Sequence, residues 1–247
     1  MKAVMLAAGR GSRLAGGHGD PLPKALLSFG GKSLIERHIG ILQSQGIGEL
    51  VLVVGYQKDR LVSTIERLGA SDYVTPLHNP FYHEGAVVSL WTAREYLRAG
   101  EDILFMDADV LYHPTLIERL VRARKANSFL VDRNLDPGED PVKLCVRDGR
   151  VVEFGKQVSG DFDLIGEWPG FLRLSPEIAA KLAERCQDFL DTNRAIESYE
   201  PAMRDLILSE PPDTFGYEDI TGEPWIEIDF LEDVVRAEED VLPRLPG

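Results

Sequence analysis

Cysteine is scarce: Cys145 and Cys186 are the only two in 247 residues. Two thiols cannot build a disulfide framework, and neither sits at the Cys/His spacing of a zinc site. Both read as buried thiols of a chain kept in a reducing cytoplasm. Positive charge is also short. Against 41 Asp and Glu stand 27 Lys and Arg, a formal net charge of −14. This excludes nucleic-acid partners, because binding a phosphate backbone requires clustered cations that release counterions. Any anion must therefore be held by a few local cations. No run approaches the roughly 18 apolar residues of a membrane span. The N-terminal MKAVMLAAGRGSR passes quickly from a short apolar run into glycines, unlike a secretory signal. Repeats, linkers and low-complexity tracts are missing too, so disorder, collagen and coiled coil are set aside. The 44% of hydrophobic residues suffices for one large core.

The apolar pattern alternates between strand-like runs and helical spacing. A buried strand is expected over 2–7, feeding a polar, Gly/Pro-rich loop up to Pro23. Leu34, Ile35, His38, Ile39 and Leu42 then share one helical face that Gly46 terminates. Strands at 49–56, 73–78, 102–109 and 128–132 alternate with helices at 58–68, 89–98 and from Pro114. Such alternation predicts a parallel sheet covered by helices. The texture changes at VKLCVR and RVVEF, a hairpin joined by Asp148-Gly149. A strand near 170–174, helices near 176–190 and 199–209, a WIEID segment at 225–229 and a last helix to about Val241 complete a mixed second part.

The first strand ends in Leu6-Ala7-Ala8-Gly9-Arg10-Gly11-Ser12-Arg13-Leu14, and Lys24 closes the same loop in Pro23-Lys24-Ala25-Leu26. Glycines let backbone N–H groups approach phosphate oxygens, while Arg13 and Lys24 supply the cations an acidic chain otherwise lacks. The spacing is neither that of a dinucleotide fingerprint nor that of a Walker loop. Asp109 and Asp229 each follow an apolar run, as strand-end ligands of an open sheet do. Two carboxylates suit Mg²⁺, which prefers hard oxygen donors. Turn formation or helix capping is the alternative use for Asp107, Asp109 and Asp229.

The string L-A-A-G-x-G-S-R-L followed by P-K-A-L resembles the signature of nucleotidyltransferases that activate sugar phosphates and related monoesters with an NTP. Val54-Gly55-Tyr56, Ser89-Leu90, Asp107-Ala108-Asp109 and Glu227-Ile228-Asp229 are similar, in order, to motifs of the bacterial CTP:phosphocholine cytidylyltransferases. The resemblance runs from residue 3 to about residue 241. It implies an α/β fold of GT-A-like type, Rossmann-like with a mostly parallel sheet and a mixed acceptor-binding portion. One domain, 1–247, would then hold a nucleotide-binding half (about 1–132) and an acceptor-binding half with the final metal ligand (about 133–247).

The expected nucleotide contacts are Leu6, Ala7, Ala8, Gly9, Gly11, Ser12 and Arg13, with Asp107 as a nearby support. Glu84, Gly85 and Ser89 would serve the base: Gly85 by close backbone approach, Ser89 by hydrogen bonding, Glu84 by accepting from a cytosine amine that uracil lacks. The resemblance implies that Lys24 acts at the α-phosphate, Arg13 at the outer phosphates, Asp109 and Asp229 on Mg²⁺, and Lys156 on the acceptor phosphate. Glu167, Trp168, Tyr199, Glu200 and Trp225 combine aromatic faces with acids, which suits a cationic acceptor such as phosphocholine. The expected reaction joins CTP to a small phosphate monoester or phosphonate with release of pyrophosphate. 2-Aminoethylphosphonate, inositol 1-phosphate and sugar 1-phosphates, with UTP or another NTP, stay open as alternatives. So does a regulatory nucleotide binder without turnover, although a binder has no need of the metal pair. His18, His38, His78, His83 and His113 show no paired spacing and read as structural or exposed. An acidic surface is compatible with a monomer or a homodimer.

Overall fold

A computed structural model describes residues 1–14, 21–135 and 141–246. The first strand, β1 (Lys2–Ala7), ends where the glycines begin. A short ribbon, β2 (Ser28–Phe29) with β3 (Lys32–Ser33), leads into helix α1 (Leu34–Ser44). The Ser33 side chain accepts from the Glu36 N–H at 3.3 Å and caps α1, an arrangement whose loss costs about 1 kcal/mol. β4 (Leu50–Val54) is buried throughout and is followed by α2 (Lys58–Arg67) and β5 (Val74–His78). The helix expected at 89–98 begins earlier and breaks at Ala93 into α3 (Ala86–Thr92) and α4 (Arg94–Leu97). β6 (Ile103–Asp107) stops short of Asp109, and an unexpected short strand, β7 (Val110–Tyr112), precedes α5 (Thr115–Arg122) and β8 (Ser128–Val131).

The expected hairpin forms from β9 (Lys143–Arg147) and β10 (Arg150–Gly155), with Asp148 and Gly149 both at positive φ in the turn. β11 (Leu164–Glu167) adds a third strand to it. β12 (Phe171–Leu174), α6 (Pro176–Asp191), α7 (Glu200–Ser209), β13 (Gly216–Asp219), β14 (Trp225–Glu227) and α8 (Leu231–Arg236) follow. A π-helical turn over Ala237–Val241 and a 3-10 turn over Leu242–Arg244 extend α8.

The main sheet has seven strands in the order β13-β8-β12-β6-β1-β4-β5. β12 runs antiparallel to both neighbours, and the other pairings of this sheet are parallel. Alternation along the strands sends Val4, Val51, Val53, Phe105 and Phe129 to one face and Ala3, Met5, Leu52, Leu104 and Met106 to the other. The first face packs under α3, α4, α6 and α7, and the second under α1, α2 and α5. Each fully buried Leu, Val or Phe contributes about 1.5–3 kcal/mol. β14 pairs with β7 rather than with the main sheet, which carries residues 225–229 across to the end of β6. No helix among the described residues is long and apolar enough to cross a membrane.

Candidate active site

The loop after β1 passes over Lys24, and two glycines shape it differently. Gly11 sits at φ +61°, and a Cβ there would meet Lys24 Cγ at 3.2 Å, so glycine lets the lysine stem pass beneath the loop. A Cβ on Gly9 would meet nothing within 4 Å because that position faces open space. Lys24 itself is presented by a 3-10 turn, Lys24–Leu26, anchored by the buried Ala25. Its Nζ donates to Asp109 Oδ2 at 2.9 Å and to Asp229 Oδ1 at 2.5 Å. Burial alone would lower the Lys24 pKa, but the charges of Asp109 and Asp229 outweigh it, so the ammonium is held firmly protonated. Arg13 Nη1 lies 2.7 Å from Asp229 Oδ2, with its guanidinium 5.5 Å from the Phe230 ring centre.

Two segments remote in sequence deliver the acids. Asp109 lies just past the end of β6, and its carbonyl accepts from the Ile228 N–H at 2.9 Å. Asp229 lies just past β14. The buried Asp233 carboxylate accepts from the N–H groups of Asp229 at 2.9 Å and Phe230 at 2.7 Å, which fixes the entry to α8. Phe230 is the residue at the N-cap, and the Asp229 carboxylate is engaged by Lys24 and Arg13 instead. Asp109, Glu227 and Asp229 each offer a carboxylate oxygen, all within 4.8 Å of one another. Three hard oxygen donors at one focus fit a cation such as Mg²⁺. Glu227 is partly open to the cleft yet crowded by protein; that crowding and the charges of Asp109 and Asp229 push its carboxyl up to about 8.

Two cavities meet at this focus. One, of about 300 Å³, is lined by Leu6, Ala7, Gly9, Gly11, Ser12, Arg13, Lys24, Ala86 and Asp109, among others. The second, of about 290 Å³, is walled by Asp107, Lys156, Glu167, Trp168, Gly170, Tyr199, Glu200 and Glu227, and reaches Arg13 and Asp229. Arg13 lines both. The Tyr199 hydroxyl donates a short hydrogen bond to Asp107 Oδ2. Burial and the neighbouring Asp109 hold the Asp107 carboxyl well above the usual carboxylate range, with the Tyr199 bond opposing them.

The model of the MobA-like NTP transferase domain matches residues 3–156, more than half of the chain. The chain belongs to the MobA-like NTP transferase domain family. Among relatives, it is 25% identical over 95% of its length to the CTP:phosphoglutamine cytidylyltransferase of Campylobacter jejuni, covering 98% of that protein. It is 30% identical over 96% of its length to the bifunctional IPC transferase and DIPP synthase of Archaeoglobus fulgidus, but spans only 43% of that longer protein. The solved structure of the CTP:phosphocholine cytidylyltransferase of Streptococcus pneumoniae superposes with a TM-score of 0.73 at 23% identity, over 96% of this chain and 97% of the other. That likeness establishes the α/β nucleotidyltransferase fold.

Within this NTP transferase fold most of the expected residues converge on the two cavities, and several do not. Glu84 is exposed and lines neither cavity. Gly85 is buried against another part of the chain: its N–H donates to the Ala195 carbonyl at 2.8 Å, and a Cβ would meet the Glu197 oxygen at 1.9 Å. The need for glycine there is met by residues 195–197, not by a base. Ser89 is buried in α3, where its Oγ accepts from Asn79 Nδ2 at 3.0 Å, and Ala86 is the residue of this segment that reaches the cavity wall. Ala8 is buried behind the loop, its carbonyl accepting from the Tyr56 N–H at 3.0 Å.

Asp107, expected on the nucleotide side, faces the second cavity. Trp225 is diverted altogether. Its Nε1 donates to Asp132 Oδ2 at 2.8 Å, and it lines a separate cavity beside Gly222 and Arg236. Trp168 keeps only an edge in the second cavity, because its Nε1 donates to the Phe171 carbonyl at 2.8 Å and its ring packs on Phe105, Phe154 and Tyr199. His18 lies outside the described residues. Glu227 was missed as a third carboxylate, although its i, i+2 spacing to Asp229 put both on one side of an extended segment.

Proposed function

We propose that this chain transfers a cytidylyl group from CTP to a small amine-bearing phosphate monoester or phosphonate with the aid of Mg²⁺, releasing pyrophosphate. The observation that carries the reading is the placement of Arg13, Lys24, Asp109 and Asp229 where the two cavities meet. The glycine-lined cavity would hold the nucleotide phosphates and the acid- and aromatic-lined cavity the acceptor. Lys24 would stabilise charge on the α-phosphate as the acceptor oxygen forms a new P–O bond and the bond to the β-phosphate breaks. Arg13, touching both cavities, would orient the two reactants. Asp109 and Asp229, with Glu227, would hold Mg²⁺, which when bound offsets charge on the phosphates.

Glu167 and Glu200, beside Trp168 and Tyr199 in the second cavity, favour a cationic acceptor head by charge attraction, with Lys156 near its phosphate. Phosphocholine is the first candidate. A second reading, a primary amine such as 2-aminoethylphosphonate, is favoured by Glu200, whose Oε2 is buried with no hydrogen-bond partner among the described residues. A primary ammonium donates hydrogen bonds, whereas a quaternary one does not.

The test is pyrophosphate release with Mg²⁺, each of the four common NTPs, and phosphocholine, 2-aminoethylphosphonate, inositol 1-phosphate or glucose 1-phosphate. Turnover with CTP and an amine-bearing acceptor is expected. Turnover confined to a sugar or inositol phosphate would overturn the amine reading, and nucleotide binding without turnover on any acceptor would favour a regulatory binder.

A further inference from the structure

The carboxylates gathered at the cleft come from two segments more than a hundred residues apart, 107–109 and 225–229. Lys24 bridges their carboxylates in the cleft, and the Asp109 carbonyl accepts from the Ile228 N–H. A further anchor lies one layer below, on α1. His38 is 1% exposed, and both of its ring nitrogens are engaged. Nε2 lies 3.1 Å from the Ala108 carbonyl oxygen, and Nδ1 lies 3.2 Å from the Tyr112 hydroxyl. A carbonyl can only accept, so Nε2 carries the hydrogen; Nδ1 of the neutral ring then accepts from Tyr112.

Both bonds end on the stretch 108–112, one at the turn before β7 and one on β7 itself. Ala108 stands between Asp107 and Asp109. Its N–H is already spent on the Leu6 carbonyl at 3.3 Å, so the His38 bond pins the other side of the same residue. Tyr112 belongs to β7, where it pairs with Trp225, and Val110 of the same strand pairs with Glu227. The two rings also stack, with centroids 5.3 Å apart, and Tyr112 is wedged edge-on against Phe171 at 4.7 Å. One imidazole thus joins the turn that presents Asp109 to the ribbon that presents Glu227 and Asp229.

We propose that His38 is a positioning residue, holding segments 107–109 and 225–229 at the spacing a divalent cation and its nucleotide require. The proposal rests on the metal-assisted transfer reading above. Histidine is suited to the place because a rigid neutral ring donates at one end and accepts at the other, whereas an apolar side chain would leave the Ala108 carbonyl buried without a donor.

The test uses Mn²⁺ as probe, titrated into the full chain with CTP and followed by the loss of the free-ion spin-resonance signal, alongside pyrophosphate release as a function of Mg²⁺. His38→Leu is expected to weaken Mn²⁺ binding by about 10- to 100-fold, the range seen when partners behind metal ligands are removed. It should raise the Mg²⁺ needed for half-maximal rate in parallel, leaving the acceptor KM unchanged. His38→Gln, which returns an N–H toward Ala108, should recover most of the loss. Tyr112→Phe keeps the ring and its packing and is expected to weaken Mn²⁺ binding by a smaller factor. A folded His38→Leu variant with wild-type Mn²⁺ affinity overturns the proposal. If that variant does not fold, a Tyr112→Phe protein with unaltered Mn²⁺ affinity overturns it instead. A wild-type chain that neither binds Mn²⁺ with CTP nor releases pyrophosphate sinks the transfer reading itself, and this proposal with it.

Discussion

Lys24 answers to two carboxylates at once, and its expected role separates binding from rate. Replacing it with alanine should lower pyrophosphate release by about 10²–10³-fold, the scale of losing a charge-stabilising donor, while CTP binding survives in part because the glycine loop and Arg13 remain. Parallel calorimetry and steady-state kinetics check this, and an equal loss of both would point to a purely structural lysine.

His38 sets a different prediction, on stability. Burial lowers its pKa from 6.5 to about 4, against the bond to Ala108 and the charge of Asp109. The unfolded chain takes up this proton near pH 6.5, but the folded chain only near pH 4. The stability present above pH 6.5 is therefore lost as pH falls through that window. By pH 4.5 the wild type should have lost about 2–3 kcal/mol more than His38→Gln, measured by urea unfolding of both at pH 7.5 and 4.5.

At the scale of elements, the two glycines of the cleft and its rim should part company. Gly85→Ala drives a methyl into the Glu197 carbonyl and should cost about 1–3 kcal/mol in urea unfolding. Gly9→Ala meets no atom within 4 Å, so stability should hold within about 0.5 kcal/mol while the KM for CTP rises.

The same contrast explains what could be read from sequence. β1 and its loop, α1, β4 and the β9–β10 hairpin announce themselves by local pattern: apolar runs, 3.6-residue spacing, an Asp-Gly turn. β7, β11 and β13 are short and owe their existence to distant partners, Glu227, Cys145 and Phe129 among them, that no local window contains. The strand-end acids were legible because each follows an apolar run. The diversion of Trp225 to Asp132, and of Gly85 to residues 195–197, was not, since both depend on register across remote segments.

For the whole molecule, ligand linkage gives a direct check. At 100 times its Kd, a ligand that binds only the folded chain contributes about 2.7 kcal/mol. For a chain of this size that corresponds to a rise of roughly 5–10 °C in Tm. Mg²⁺ with CTP should produce such a shift in a thermal melt, and Asp109→Asn combined with Asp229→Asn should remove most of it.

β12 has a consequence for how the protein is made. It lies between β6 and β8, so two strands encoded in the first 131 residues are not joined in one sheet until residues 171–174 slide between them. On the ribosome, where the chain emerges from its N-terminus, β8 must wait while some forty further residues are synthesised. The β9–β10 hairpin emerges before the sheet beneath it is closed, and the carboxylates of the cleft come together only after Asp229 has followed.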